Sequence, residues 1–202
     1  MRLINYSFLF FLLASVSCCK QTTKSKFISS VKEINNITIV KEQVKLNPLK
    51  GQWFYNNKPF NGFAVAYYEN KITSEKIGFF KGKREGKALK YFKDGSIKYE
   101  ANYINNKLHG VKLNYFKNGN ILSESNYVNG KRDGFQKTWY ITGQLAKKKN
   151  LSEGKEKGLQ QAWLENGTIY VNYEAKNGRI FGMNRANLCY KLKKEQVQYE
   201  SK

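Results

Sequence analysis

Gly86-Lys-Ala-Leu-Lys-Tyr-Phe-Lys-Asp-Gly-Ser-Ile-Lys-Tyr-Glu-Ala-Asn-Tyr-Ile-Asn-Asn-Lys107 decides the fold. Two runs rich in β-branched and aromatic residues flank Asp94-Gly95, and Asn105-Asn106 closes the second run. Such dipeptides supply the positive φ of a tight type I′ turn, so the stretch reads as a β-hairpin leading into another. Asn118-Gly119, Asn129-Gly130, Asn166-Gly167 and Asn177-Gly178 repeat the device. Outward from this unit, Gly62, Gly86, Gly110, Gly134, Gly158 and Gly182 recur at 24-residue spacing. So do an aromatic column (Tyr67, Tyr91, Tyr115, Trp139, Trp163) and a basic one (Lys83, Lys107, Lys131, Lys155, Arg179). Several columns in phase define a repeat protein, and repeats stack into extended surfaces instead of closing around a pocket. The expected fold is all-β, an elongated antiparallel meander of 24-residue hairpins.

Alternation along the strands assigns faces. Phe63, Val111, Phe135 and Leu159, then Val65, Leu89 and Leu113, then the Tyr/Trp column, are read as the buried side of the first strands. Ile97, Ile121, Leu145 and Ile169, with Phe79, Tyr103, Tyr127 and Leu151, form the columns of the second strands. Tyr68, Phe92, Phe116 and Tyr140 follow the aromatic column by one residue, which places them on the opposite face. Two readings of them stay open: they form a binding platform, or another segment or a second copy covers them.

The ends depart from the repeat. Trp53 to Tyr55 reads as the second strand of a truncated unit, and residues 36–46 as a capping hairpin or edge strand. Met183 to Tyr190 loses the aromatic column, as a terminal cap does. Residues 191–202 read as a polar tail.

Residues 1–17 have the form of a signal peptide: Arg2 gives a positive start, and an apolar run to Val16 is too short to span a membrane. Ser15-Val-Ser-Cys18 matches a bacterial lipobox imperfectly, with Cys18 the acylated residue and Cys19 the alternative. Residues 18–35 then read as a lipidated tether, and residues 36–190 as the repeat domain. Cys189 is the remaining cysteine, read as a buried thiol, with a Cys19–Cys189 disulfide as the other option.

The chain carries 36 Lys+Arg against 15 Asp+Glu, a net charge of +21. The lysines are spread over turns and polar strand positions, which suits a solvated sheet, or attraction to anionic envelope surfaces, better than nucleic acid. His109 is the lone histidine and shares its column with Asn61, Glu85, Asp133 and Lys157, so it reads as a turn-flanking residue and not a general base. No residues are spaced for a metal, and no phosphate loop or nucleophile elbow occurs. The reading is a non-enzyme with no cofactor.

From Tyr115 to Gly134 the unit Tyr-Phe-x-Asn-Gly-x-Ile-x-x-Glu-x-x-Tyr-x-x-Gly-Lys-x-x-Gly resembles the MORN-repeat variant, and bacterial proteins built from it are commonly labelled YwqK-family antitoxins. The resemblance covers Trp53 to Gly182, with Lys71 in place of a turn glycine and Leu164 and Ala175 in place of aromatics. It implies a curved antiparallel sheet that mediates protein or membrane contact. Together with the leader, this sets the expectation of a lipid-anchored binding or scaffold protein of the bacterial envelope, at the periplasmic face of the outer membrane. The alternative is an antitoxin or immunity protein that neutralises a toxin by direct binding.

Overall fold

The computed structural model describes residues 32–183, 190–193 and 196–199. Among these there is no α-helix; a single 3-10 turn at Lys41–Gln43 is the only helical element. The first strands are β1 (Thr38–Val40), β2 (Lys45–Asn47), β3 (Gln52–Tyr55) and β4 (Lys58–Pro59). The repeat hairpins follow: β5 (Gly62–Tyr67) with β6 (Thr73–Phe80), and β7 (Lys83–Tyr91) with β8 (Ile97–Ile104). Next come β9 (Lys107–Leu108), β10 (Gly110–Tyr115) and β11 (Ile121–Val128), then β12 (Lys131–Trp139) with β13 (Leu145–Ser152). The array closes with β14 (Lys155–Glu156), β15 (Gly158–Trp163), β16 (Ile169–Lys176) and β17 (Arg179–Met183), and β18 (Tyr190–Lys193) and β19 (Gln196–Tyr199) follow. One 14-stranded sheet runs in chain order from β5 to β17 with every repeat pair antiparallel, so the expected meander is what the chain forms.

Two kinds of turn join the strands. Between units, Lys81-Gly82, Asn105-Asn106, Asn129-Gly130, Glu153-Gly154 and Asn177-Gly178 all have positive φ at both positions, as type I′ turns require. Within units the expectation fails. At Asp94-Gly95, Asn118-Gly119 and Asn166-Gly167 only the glycine has positive φ. Phe92 N–H donates to Ser96 C=O and Gly95 N–H to Phe92 C=O, the pattern of a three-residue loop with a type I turn and a glycine bulge. The Asp or Asn is selected for another reason: its side-chain oxygen accepts the N–H two residues on, at Ser96 (2.9 Å), Asn120 (3.1 Å) and Thr168 (2.9 Å).

The 24-residue glycine column is not a turn at all. Ile77 pairs with Ala88 but Phe79 with Arg84, and Ser125 pairs with Gln136 but Tyr127 with Arg132. Each first strand therefore carries extra residues at this point, and Gly86 (φ 70°) and Gly134 (φ 82°) sit in the bulges. In the intervening units the strand breaks at His109 and Lys157, just before Gly110 and Gly158, which are also left-handed. A residue with a β-carbon resists that φ, and bulges bend and twist the strand that holds them.

The pairing fixes two faces. Gly62, Ala64 and Ala66 lie opposite Phe79, Ile77 and Glu75 on what we term the front. Phe63 and Val65 lie opposite Gly78 and Lys76 on the back. The core sits on the front of the first two hairpins, where Val44 and Phe60 pack with Ala64, Ile77, Phe79 and Ala88, flanked by Trp53, Tyr55, Tyr99 and Tyr103. Phe79 has ring centroids 5.8 Å from Trp53 and 5.7 Å from Phe60.

That core exists because the truncated unit leaves the main sheet. β3 pairs with β2 and β4 in a separate three-stranded sheet, and its place beside β5 is taken by β1, running parallel. Residues 36–46 are thus not a capping hairpin: β1 is an edge strand, and β2 belongs to the sheet of β3. Nor does the stretch read as a tether end free of the sheet. Lys32 N–H donates to Glu85 (3.4 Å), and Asn35 N–H to Asn61 (3.3 Å). At Gly78 an added β-carbon would lie 2.7 Å from Ile34 Cδ1, so this strap crosses the back of the first hairpin. At the other end β18 and β19 pair within the stretch read as a polar tail. Residues 1–31, 184–189, 194–195 and 200–202, with the stretch read as a signal peptide, Cys18, Cys19 and Cys189, lie outside the described residues.

Candidate functional site

Tyr68, Phe92, Phe116 and Tyr140 each open the tight loop that follows a first strand, so the structure lines them along one edge of the sheet. All four are half-buried. The two tyrosines reach forward by one repeat: Tyr68 Oη donates to Tyr91 C=O (2.7 Å) and Tyr140 Oη to Trp163 C=O (3.0 Å). Burial, with Tyr170 and Glu165 nearby, raises the Tyr140 phenol above its ordinary pKa. Lys98 Nζ lies 5.5 Å above the Phe92 ring. Tyr68 and Tyr140 thus tie one repeat to the next at this edge.

The back face shows the reverse. Val111, Phe135 and Leu159, read from alternation as buried, are 42%, 45% and 50% exposed, and Phe181 extends them at 54%. Alternation grouped this column on one face of the first strands but took apolar for covered, and the Phe79 column of the second strands lies on the other face; a single sheet has no second layer here among the described residues to cover the row. The four sit one above the next across the strands, opposite Asn126, Asn150 and Glu174. Lys148 Nζ lies 4.8 Å over the Phe135 ring.

The basic column shares this face. Lys107, Lys131, Lys155 and Arg179 pair with Ile104, Val128, Ser152 and Lys176, back-face residues at the type I′ turn edge. All four cations are exposed. Lys131 makes a 3.5 Å ion pair with Glu153, both groups well solvated, so the pair holds neither strongly. Farther along the strands the back-face carboxylates are matched: Glu100 with Lys87 (2.7 Å) and Glu124 with Lys137 (3.4 Å). Burial pushes the Glu100 carboxyl up, but Lys87 and the Tyr115 hydroxyl outweigh it and hold it below the ordinary range. The Tyr115 phenol donates to Glu100 at 2.5 Å, and burial together with that carboxylate pushes it up to about 12.

On the front, beyond the core, the surface is polar. Gln136 and Gln160 fold onto the neighbouring strand, Nε2 donating to Asn126 C=O (3.0 Å) and Asn150 C=O (2.8 Å). Lys149 pairs with Glu156 (2.7 Å), which also accepts from Tyr173 (2.7 Å); these two bonds lower the carboxyl, while burial and Glu156 raise the phenol to about 12. A shallow cleft lined by Lys147, Lys149, Gln160 and Tyr173 opens there. Among the described residues no three His, Cys, Asp or Glu side chains are grouped to hold a metal ion.

Sequence reasoning missed one set of residues. Glu85 accepts Asn105 N–H (2.9 Å) and Asp133 accepts Glu153 N–H (2.9 Å), each 20 residues on, so the column before the glycine caps the next turn. The signal was there in the carboxylates at Glu85 and Asp133 and the amide at Asn61.

The MORN repeat variant family matches residues 84–105 and 108–129, two adjacent repeats that run from β7 to the end of β11. No curated protein matches the chain. The matched repeats fit a binding or scaffold role.

Proposed function

We propose that this protein is a non-enzymatic, membrane-anchored binding or scaffold protein of the bacterial envelope, working through the surface of its repeat sheet. The observation that carries the reading is the exposed back-face row Val111, Phe135, Leu159 and Phe181. Large apolar side chains left exposed in a regular row, with Asn126, Asn150 and Glu174 between them, support an interaction surface. Anchoring is supported by the sequence of residues 1–17 and by Cys18 and Cys19. A lipid at that end would hold the sheet near the bilayer through a short polar segment, with the repeat surface facing its partner.

One experiment addresses both parts. Cells expressing the protein with a photoreactive residue in place of Phe135 are fed labelled fatty acid, irradiated and fractionated. The protein should carry label, sediment with membranes and yield a discrete crosslinked adduct. Cys18→Ser should remove label and release the protein; if Cys19→Ser does so instead, the acylation site shifts by one. Soluble, unlabelled protein in all three forms would end the anchoring claim, and absence of any adduct from this face would end the scaffold claim. An adduct with a toxin encoded alongside would favour the immunity alternative.

A further inference from the structure

We infer that the back-face row docks an amphipathic α-helix of a partner protein, acidic along one flank and laid across the strands. This rests on the binding reading above and names the partner's form.

The first argument is spacing. Row members stand one repeat apart, which is two strands, about 9.6 Å at the usual separation. A helix rises 1.5 Å per residue, so positions seven apart are about 10.5 Å apart and return to the same face. A strand laid the same way presents one face at intervals of about 6.7 Å and falls out of step. Four row members span three gaps, about 29 Å, or roughly 19 residues of helix.

Charge supplies the second argument. Lys107, Lys131, Lys155 and Arg179 run parallel to the row along the type I′ turn edge, all exposed. A helix with its apolar seam on the row would bring one flank over these cations, and an acidic flank answers them. A second copy is disfavoured, since each chain carries +21. The chain's own residues 20–31 are disfavoured too, because they hold Lys20, Lys24 and Lys26 and no acid. Glu174 lies opposite both Leu159 and Phe181, so the partner's acidic groups must sit on the Lys/Arg side and not over the row.

The first hairpin carries an internal precedent. Phe63 occupies the equivalent position there and is half-buried, with the strap residue Ile34 passing over Gly78 beside it. Later units have Asn102, Asn126, Asn150 and Glu174 at the Gly78 position, and no described segment covers them. An apolar residue on an added segment is thus already how this face is covered where it is covered.

The test uses the full-length protein and a synthetic probe of about 21 residues, with leucine at the seam positions and glutamate on one flank. Two controls accompany it: the same composition interrupted by proline at its centre, and a lysine-for-glutamate version. By fluorescence anisotropy the helical acidic probe should bind about tenfold or more tighter than either control. Phe135→Ser with Leu159→Ser should weaken it by about tenfold while the melting curve stays near wild type, as suits exposed residues. Lys131→Glu with Lys155→Glu should weaken it comparably and flatten its salt dependence, which keeps the test decisive should the serine variant not fold. Equal binding of the helical and proline-interrupted probes would reduce the effect to bulk charge attraction and overturn the inference. So would full binding by both double variants. If the Phe135 crosslink forms in cells while the probes show no helical preference, the scaffold reading stands and the helix falls.

Discussion

The front face of the first two hairpins and the front face of the last three are built on the same columns and have different fates. Two residues after the repeat glycine, the chain has Ala64 and Ala88 at the covered end, and Lys112, Gln136 and Gln160 at the other. The column opposite follows the same trend over four strands, with Ile77 and Ala101 first and Ser125 and Lys149 later, before it ends on the buried Tyr173. Where Val44, Trp53 and Phe60 lie over the sheet, the column is small or apolar. Where nothing described lies over it, long polar side chains fold down and satisfy the adjoining backbone themselves. The repeat frame sets strands and turns; the departures from it record what each unit touches.

Deleting a large side chain at the covered end should show the contrast at its greatest. Phe79 is 2% exposed and meets Trp53 and Phe60. Phe79→Ala should cost about 3–5 kcal/mol in urea unfolding. Leu159→Ala, on the open back face, should cost less than about 1 kcal/mol. Equal losses would mean that stability is spread evenly along the array, as in an ideal repeat stack, and that the N-terminal layer is not its anchor.

Exchanging residues between the two regions is the next test. Ala88→Gln imports the residue of the open end into a packed site, where the amide meets an apolar layer. It should cost about 1–3 kcal/mol from overpacking and polar burial. Gln136→Ala, the reverse exchange, loses a bond to Asn126 C=O beside solvent, and about 1 kcal/mol is expected. Tolerance of Ala88→Gln without loss would show that the layer over the front face can lift away.

Acid should weaken the covered end through Glu75. Burial pushes its carboxyl up, but Lys41, then Lys90, hold it below the ordinary value of 4.5. A folded value below the unfolded one gives stability that is complete above about pH 4.5 and is lost as pH falls through the lower folded value. Glu75→Gln should remove that part of the slope, so wild type and variant should converge in urea midpoint as pH drops from neutral to about 3. Parallel curves across the window would break the assignment.

Much of the fold was legible because hairpin turns write themselves in dipeptides and a 24-residue beat cannot be mistaken. The antiparallel order, the turn positions and the separation of faces all follow from short-range geometry. Coverage does not. Alternation says that Phe63 and Ala64 point opposite ways, but the layer that buries Ala64 comes from residues 39–60, which carry no full repeat. For the same reason the reach of Tyr68 and Tyr140 to Tyr91 and Trp163 was not legible, since that contact depends on loop geometry. The repeat glycines were visible as a column and opaque as a conformation: a strand interior ordinarily excludes positive φ, so only the observed register reveals the bulges at Gly86 and Gly134.

The smallest expected effect compares two loops at the same place in the repeat. Gly119 has φ 87° with nothing within 4 Å of an added β-carbon, whereas the first unit has Lys71 there at φ 62°. Space is therefore not what selects glycine; backbone conformation is. Gly119→Val puts a β-branched residue into the left-handed region and should cost more than about 1 kcal/mol. Lys71→Gly relieves a strain of about 1 kcal/mol but adds chain entropy to the unfolded state, so a net gain of a few tenths is expected. The Asn70 side chain, which accepts Ile72 N–H at 3.3 Å and donates to Lys93 C=O at 3.0 Å, already holds that loop in shape. The measurement is the difference in urea midpoint between wild type and Lys71→Gly, read beside Gly119→Lys, the exact counterpart of what the first unit tolerates. If Gly119→Lys were neutral, lysine would be as good as glycine in this loop and the conformational account of the column would be wrong. A loss of about 1 kcal/mol, with a small gain at position 71, would place the cost in the backbone and leave the side chain no part in it.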